Sequence, residues 1–414
     1  MESSTSEQQP GELPSEEDLG ALDGIRVIEM GTLIAGPFCG QLLADHGAEV
    51  IKVEDPATGD PMRSWGKIGP GETSLSWQVI ARNKKSTTVN LRHEAGQKII
   101  CDLVRHADIV LENFRPGTLE RWGLGYDVLS EINPRIIMVR VSGFGQTGPY
   151  AERSGFGSIG EAMGGLRYVT GEPDRPPSRI GISIGDSLAA TFSMIGALLA
   201  LQARARTGRG QVVDTAIYEA VLTMMESLLP DWALANYQRE RTGSILPGIA
   251  PSNLYPTADG QSVLIGANLD TVFRRLCQAM GVDELANDER FSTHEARGEN
   301  SRELDDIIAN WTSSLDIDVV LDSMNESGVP AGRIFTAADM FDDPHFAARN
   351  TIVSVEHPRA GNVPMQNVTP RLSATPGSVR SAAPELGADN QYVFGDLLGM
   401  SESELQGLRQ NGTI

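Results

Sequence analysis

The sharpest residue in the chain is an acid at a junction. Asp186 closes the run Arg179-Ile-Gly-Ile-Ser-Ile-Gly-Asp186 and opens a long stretch of small and apolar residues that starts Ser187-Leu-Ala-Ala. A carboxylate held at a helix N-terminus beside a flexible glycine, in apolar surroundings, has the character of a covalent nucleophile. The same placement has an ordinary explanation as an N-cap accepting backbone N–H bonds, and on residue types alone the cap is favoured. A second signal is a basic cluster in an otherwise acidic chain: Arg82, Lys84, Lys85, Arg92, Arg115 and Arg121. Guanidinium groups grip phosphate with two parallel bonds, but spacing alone favours a solvated surface with helix-end charges.

Two stretches match G-x-G-x-x-G, Gly143 to Gly148 and Gly155 to Gly160. The first follows a predicted strand yet runs into Pro149-Tyr-Ala-Glu-Arg-Ser154, a poor helix start for receiving a pyrophosphate. The second has no strand before it. With 44 glycines in the chain, chance matches are expected, and both read as loops. Glu54-Asp55 ends a second predicted strand, where a ribose-binding acid would stand. The turn after the first strand, Gly31-Thr-Leu-Ile-Ala-Gly36, lacks the close glycine spacing, so NAD binding is a runner-up only. Three scattered cysteines and six scattered histidines show no ligand spacing, so no metal is expected, and the thiols read as reduced in a cytoplasmic setting.

These residues need a frame. The 414 residues exceed one simple core. The formal net charge of −21 argues against nucleic acid as a partner. Met1 to Glu17, acidic and rich in Ser, Glu and Pro, predicts a disordered tail over residues 1–20, and the sequence shows no apolar run long enough to span a membrane. From Gly24 onward strands and helices alternate: strands at Ile25–Met30, Glu49–Val53, Ser86–Asn90, Ile109–Leu111, Ile136–Val141 and Val212–Ala216, with helices at Phe38–His46 and Glu94–His106. This predicts a doubly wound α/β unit with a parallel sheet over residues 21–240. Ser187–Ala205 reads as a helix apolar all round and therefore buried, and Tyr218–Ala235 as one helix leading out. A smaller domain is expected over 245–335. Residues 336–414 read as a return segment, extended from Val353 to Ala383 and ending in two short helices.

Eight segments in register resemble the class III CoA-transferases, the group of formyl-CoA:oxalate and carnitine CoA-transferases that includes the α-methylacyl-CoA racemases. They are Leu22-Asp-Gly-Ile-Arg-Val-Ile-Glu-Met, Ala35-Gly-Pro-Phe, Gly47-Ala-Glu-Val-Ile-Lys-Val-Glu54, Arg82-Asn-Lys-Lys-Ser86, Glu112-Asn-Phe-Arg-Pro-Gly117, Gly143-Phe-Gly-Gln-Thr-Gly-Pro149, Gly185-Asp186 and Thr207-Gly-Arg-Gly-Gln-Val-Val-Asp214. The resemblance implies a Rossmann-like large domain, a smaller α/β domain and an interlocked homodimer, with a related second subunit left open. It makes Asp186 the nucleophile. It puts CoA contacts on Ile34, Ala35, Val89, Arg92, Asn113, Arg115 and Arg121, which turns the basic cluster into a ligand site. Coenzyme A enters as a thioester substrate, with no permanently bound cofactor.

Racemases of the group carry a histidine after the Gly148-Pro149 motif, where this chain has Phe156. One of the two acid–base groups a racemase needs is thus missing, and transfer is preferred over racemisation or a non-catalytic CoA- or NAD-binding role. The consecutive glycines of the formyl-CoA branch are replaced by Leu246-Pro-Gly248-Ile249-Ala250-Pro-Ser-Asn253. That loop is expected to cover the nucleophile, and the chain looks closest to succinyl-CoA transferases that act on malate or citramalate.

Overall fold

The computed structural model describes residues 20–414; the tail expected over 1–20 lies outside them except for Gly20. Two compact units emerge. The first takes the chain up to Arg167, then Ile180–Leu228 and His345–Ile414; the second takes Tyr168–Arg179 and Leu229–Pro344.

The first unit is built on six strands: β1 (Arg26–Glu29), β2 (Glu49–Glu54), β3 (Lys84–Thr88), β4 (Ile109–Glu112), β5 (Ile137–Ser142) and β6 (Val212–Ala216). Their order is β3-β2-β1-β4-β5-β6, and every pair is parallel. A parallel sheet must be covered on both faces, and the strands read accordingly. Val27, Val50, Ile109 and Val139 face one layer, formed by α1 (Ala35–Asp45) and the long α6 (Ile184–Thr207). Ile28, Ile51, Val110 and Met138 face the other, with α3 (Glu94–Val104), α4 (Tyr126–Ile132) and the C-terminal Val393, Phe394 and Leu405. Each such Ile or Val, fully buried, is worth about 1.5–3 kcal/mol. Three further helices of this unit are α2 (Leu75–Ile80), α5 (Gly157–Met163) and α7 (Ile217–Thr223).

The second unit has a three-stranded antiparallel sheet, β7 (Ser252–Pro256), β8 (Ser262–Gly266) and β9 (Ala331–Arg333). Against it pack α8 (Asp270–Met280), α9 (Ser301–Thr312) and α10 (Ile317–Ser327), around buried Tyr255, Phe273, Phe291, Ile308 and Met324.

Several sequence expectations change. The helix expected over Tyr218–Ala235 is two, Ile217–Thr223 and Leu228–Ala235, with Glu226 between them at φ +51°. The segment read as extended from Val353 contains a hairpin, β10 (Ile352–His357) and β11 (Gly361–Gln366). Its turn is tied by His357 Nδ1, which accepts the backbone N–H groups of Arg359 and Ala360 at 3.1 and 3.0 Å. The last two helices are Gln391–Leu397, wound as a π-helix, and α11 (Glu402–Gln410). Helix α6 is not buried all round. Its small residues Ala189, Ala190, Ala197 and Ala200 face the core, while Ile195, Leu198 and Leu199 are exposed. By length and composition it is also long and apolar enough to cross a membrane, although its apolar residues do not run unbroken. Here it lies on α1 and the sheet, with Arg204 paired to Asp108 at 2.8 Å.

Strand β3 stands at the sheet edge, where unpaired backbone groups invite association with other chains. The return segment covers it with side-chain bonds. Asp389 accepts from Ser86 N at 2.7 Å, and Asn390 accepts from Thr88 N at 2.9 Å. Just before β3, Asn83 sits at φ +62°. Its amide donates to Asp45 and to Ser378 O, both at 2.8 Å, and its oxygen accepts from Arg380 N and Ser381 N at 2.6 and 3.1 Å. Replacing Asn83 by Ala strands several of these groups, so urea unfolding should show a loss of about 2–4 kcal/mol with an unchanged m value. A loss below about 0.5 kcal/mol would mean the strap is held elsewhere.

Candidate active site

Asp186 enters α6 in its first turn, three residues beyond Ser183 at the N-cap. It is therefore not the capping residue, and the run before it is not a strand: residues 179–183 are irregular, and Ile182 stands 60% exposed. The half-buried carboxylate lies against the backbone of α5. A side-chain carbon on Gly157 would come within 2.1 Å of Asp186 Oδ2, and one on Gly185 within 2.9 Å of Gly157 O. Only hydrogen fits at either α-carbon. One turn along α5, buried Glu161 accepts from Gly185 N at 3.4 Å and pairs with Arg167 at 3.0 Å. A carboxylate in the first turn of a 24-residue helix sits in the favourable end of its dipole. The result is an acid with glycine backbone packed against one side of its carboxylate. The second glycine motif, which reads as a loop, is helical here: its Gly157 and Gly160 let α5 press on Asp186 and on Ile217.

A second feature lies at the carboxyl ends of β1 to β4. A cavity of about 230 Å³ is lined by Met30 and Thr32 after β1, Glu54 and Asp55 at the end of β2, Val89 and Arg92 after β3, and Phe114 and Trp122 after β4. This is where the strand order reverses, the usual ligand position in open parallel sheets. Phe114 and Trp122 meet edge to face, 5.4 Å between centroids, and give the cavity an aromatic wall. A groove of about 400 Å³ joins Pro116 and Gly117 to the loop Gln146–Pro149.

The predicted contacts divide among these places. Val89 and Arg92 line the cavity; Arg92 is exposed and 3.6 Å from Asp55. Arg115 and Arg121 are exposed, and among the described residues neither pairs with a carboxylate; Arg121 donates to Thr118 Oγ1 at 3.1 Å. Asn113 bonds the backbone N and O of Thr32, at 2.8 and 2.9 Å, and so shapes the turn that leads to Ile34 and Ala35. Ile34 is the N-cap of α1, and Ala35 belongs to one buried cluster with Ala189 and Ala190 of α6. Two members of the basic cluster are internal: Arg82 is buried on Asp45 at 2.6 Å, and Lys84 on Glu29 at 2.7 Å. Glu54, the acid a ribose would need, is bound to Arg63 at 2.7 Å and accepts from Ser86 Oγ at 2.6 Å, which takes it from NAD. In the second unit, the loop with Gly248, Ile249 and Ala250 is anchored where buried Arg297 donates to Ala250 O at 3.2 Å. Among the described residues no group of His, Cys, Asp or Glu could hold a metal.

The parallel sheet with its order reversal, the cavity at its carboxyl edge and the glycine-backed acid form an α/β frame of the kind that binds small ligands. The chain belongs to CoA-transferase family III, whose family model matches residues 22–390. Comparison with known proteins finds 61% identity over 95% of this chain and 98% of a succinyl-CoA–D-citramalate CoA-transferase of Chloroflexus aurantiacus. The beta subunit of a succinyl-CoA–L-malate CoA-transferase of the same organism is 42% identical over 95% of this chain and 98% of that one. Among solved structures, a CAIB/BAIF family protein of Brucella suis superposes with a TM-score of 0.81 at 36% identity, over 92% of this chain and all of the other. The protein is thus an enzyme of the CoA-transferase class.

Two predictions follow from this geometry. Gly157→Ala should cut transfer by at least about 100-fold through displacement of the Asp186 carboxylate, while affinity for free CoA, read by calorimetry, stays unchanged. Burial holds the Glu112 carboxyl up at about 7, against the pull of Arg140 at 2.7 Å. The folded state therefore keeps this proton better than the unfolded chain does, and the associated stability is full below about 4.5 and lost as pH rises through 7. Relative to the parent, Glu112→Gln should gain up to about 3 kcal/mol over that window in unfolding measurements. A pH-independent difference would mean that Glu112 is ionised throughout.

Proposed function

We propose that this enzyme moves CoA from succinyl-CoA to a hydroxy-dicarboxylate of the citramalate or malate kind, with the Asp186 carboxylate as covalent carrier. The carrying observation is the 61% identity, over nearly the full length of both chains, to a transferase that acts on D-citramalate. The placement of Asp186 against Gly157 supports its role. In the first step an Asp186 oxygen attacks the thioester carbonyl; the C–S bond breaks, and an aspartyl–succinyl anhydride and CoA thiolate form. The thiolate attacks the aspartyl carbonyl carbon, the anhydride C–O bond breaks and succinate leaves. The acceptor carboxylate then attacks the aspartyl-CoA thioester and reverses the two steps. Every nucleophile and leaving group is an anion already, so no proton changes hands.

Arg92, Arg115 and Arg121 supply exposed guanidinium groups for the CoA phosphates. Val89, Phe114 and Trp122 offer an apolar wall for the base. Both intermediates hydrolyse in water, so the site must stay dry during turnover. The resemblance gives that task to the Gly248 loop, and its anchoring by Arg297 supports a loop of defined shape. The interlocked homodimer belongs to the same proposal, supported by the exposed Ile195, Leu198 and Leu199 on α6.

The test is CoA transfer from succinyl-CoA to a panel of dicarboxylates, with Asp186→Ala and Asp186→Asn as controls. Transfer to citramalate or malate should be lost by at least about 1,000-fold in both variants. Quenching the parent enzyme should trap an adduct on the peptide that carries Asp186. Exchange of an α-hydrogen in a 2-methylacyl-CoA without any acceptor acid would instead reveal a racemase.

A further inference from the structure

Four ionisable side chains meet inside the first unit. Glu29 of β1 takes Lys84 of β3 on one oxygen at 2.7 Å and Lys52 of β2 on the other at 3.2 Å; Lys52 also pairs with Asp60 at 2.7 Å. All four side chains are 0–1% exposed. The packing makes way for them: a side-chain carbon on Gly40 of α1 would lie 1.8 Å from Glu29 Oε2. Removing an ion from water costs several kcal/mol, and a buried pair of this kind often stabilises no better than apolar residues of the same size. Stability alone does not account for the group.

What its members do with their remaining bonds is specific. Lys52 donates to Gly31 O, Lys84 donates to Pro37 O at 2.6 Å, and Asp60 accepts from Leu33 N at 3.1 Å. The bonds of Lys52 and Asp60 fall on the turn between β1 and α1, and that of Lys84 on the first turn of α1, directly after it. The connecting turn needs holding, because Leu33 lies at φ +64°, a region unfavourable to a branched side chain. From the other side Asn113 fixes Thr32. The turn, with Lys52 and Asp60, forms part of the cavity wall. Burial works against the Lys52 charge, but the Glu29 and Asp60 carboxylates outweigh it and hold its pKa above the ordinary lysine value, so the ammonium persists at neutral pH.

We infer that Glu29, Lys52, Asp60 and Lys84 form a positioning device that holds the Gly31–Pro37 turn in the one shape that admits the acyl-CoA substrate. The inference rests on the assignment of the cavity to CoA. Lys52, Asp60 and Lys84 act through the turn; Lys84 is the cleanest probe, since it does not line the cavity.

The experiment compares Lys84→Met, and the charge-balanced double variant Glu29→Gln with Lys84→Met, against the parent enzyme. Steady-state kinetics are normalised to active sites by adduct trapping. A positioning role predicts that KM for succinyl-CoA rises at least about tenfold while kcat per active site stays within about twofold. A merely structural role predicts fewer active sites and an unchanged KM, and that result overturns the inference. So does failure of both variants to fold, since the four charges would then serve the fold itself. Calorimetric titration of the parent with free CoA separates the underlying assignment: no binding there removes the CoA reading of the cavity, whereas tight binding with unaltered KM in the variants removes only the positioning device.

Discussion

Between β1 and β4 the chain reverses the direction in which it adds strands to the sheet. Crossovers on the two sides of that point leave from opposite faces, so the loops after β1 and β4 diverge and cannot close over each other. The crevice this opens is a consequence of chain direction, present before any side chain is chosen. Everything that lines the cavity (the turn after β1, the acids at the end of β2, Val89 and Arg92 after β3, the aromatic pair after β4) is there because parallel strands deliver their carboxyl ends to the same edge.

The same geometry explains how one helix can carry the reactive acid. Helix α6 lies on the sheet face it shares with α1, and its small residues let it approach closely. Close approach at the first turn brings the Gly157 backbone against the Asp186 carboxylate. Steric fit and helix polarity here work together: the turn that excludes side chains is the turn whose amides favour an anion. Acid–base chemistry of the racemase kind would need a different furnishing, a titratable ring where Phe156 stands half exposed.

Much of this was legible in the residues. Most strands of the main sheet announced themselves as short runs rich in Val, Ile or Leu, because a parallel strand buried on both faces has little choice of composition. Asp186 stood out for its junction, although its place inside the first turn rather than at the cap was not readable, since one residue of helix phase is set by packing. The basic cluster divides for a physical reason: composition counts charges but not partners, and Arg82 and Lys84 are spent on Asp45 and Glu29. The hairpin at Ile352–Gln366 was missed because Pro358 and Pro364 hide its alternation. Helix α6 was read as buried because period and composition do not say how many neighbours a helix has.

The stitching of the return segment to β3 has a bearing on the order of synthesis. Residues 345–414 supply the cover for an edge strand formed by residues 84–88, and the whole second unit is encoded between them. On a ribosome the chain emerges from its N-terminus, so β3 waits with its edge bare while roughly 300 residues are added, for about 15 to 60 seconds at about 5–20 residues per second. During that interval the second unit can complete its own core, whereas the first cannot. The nascent chain thus passes through a state with one finished lobe and one open sheet, and it is in that state, before the final strap arrives, that edge-to-edge association between neighbouring chains is most available.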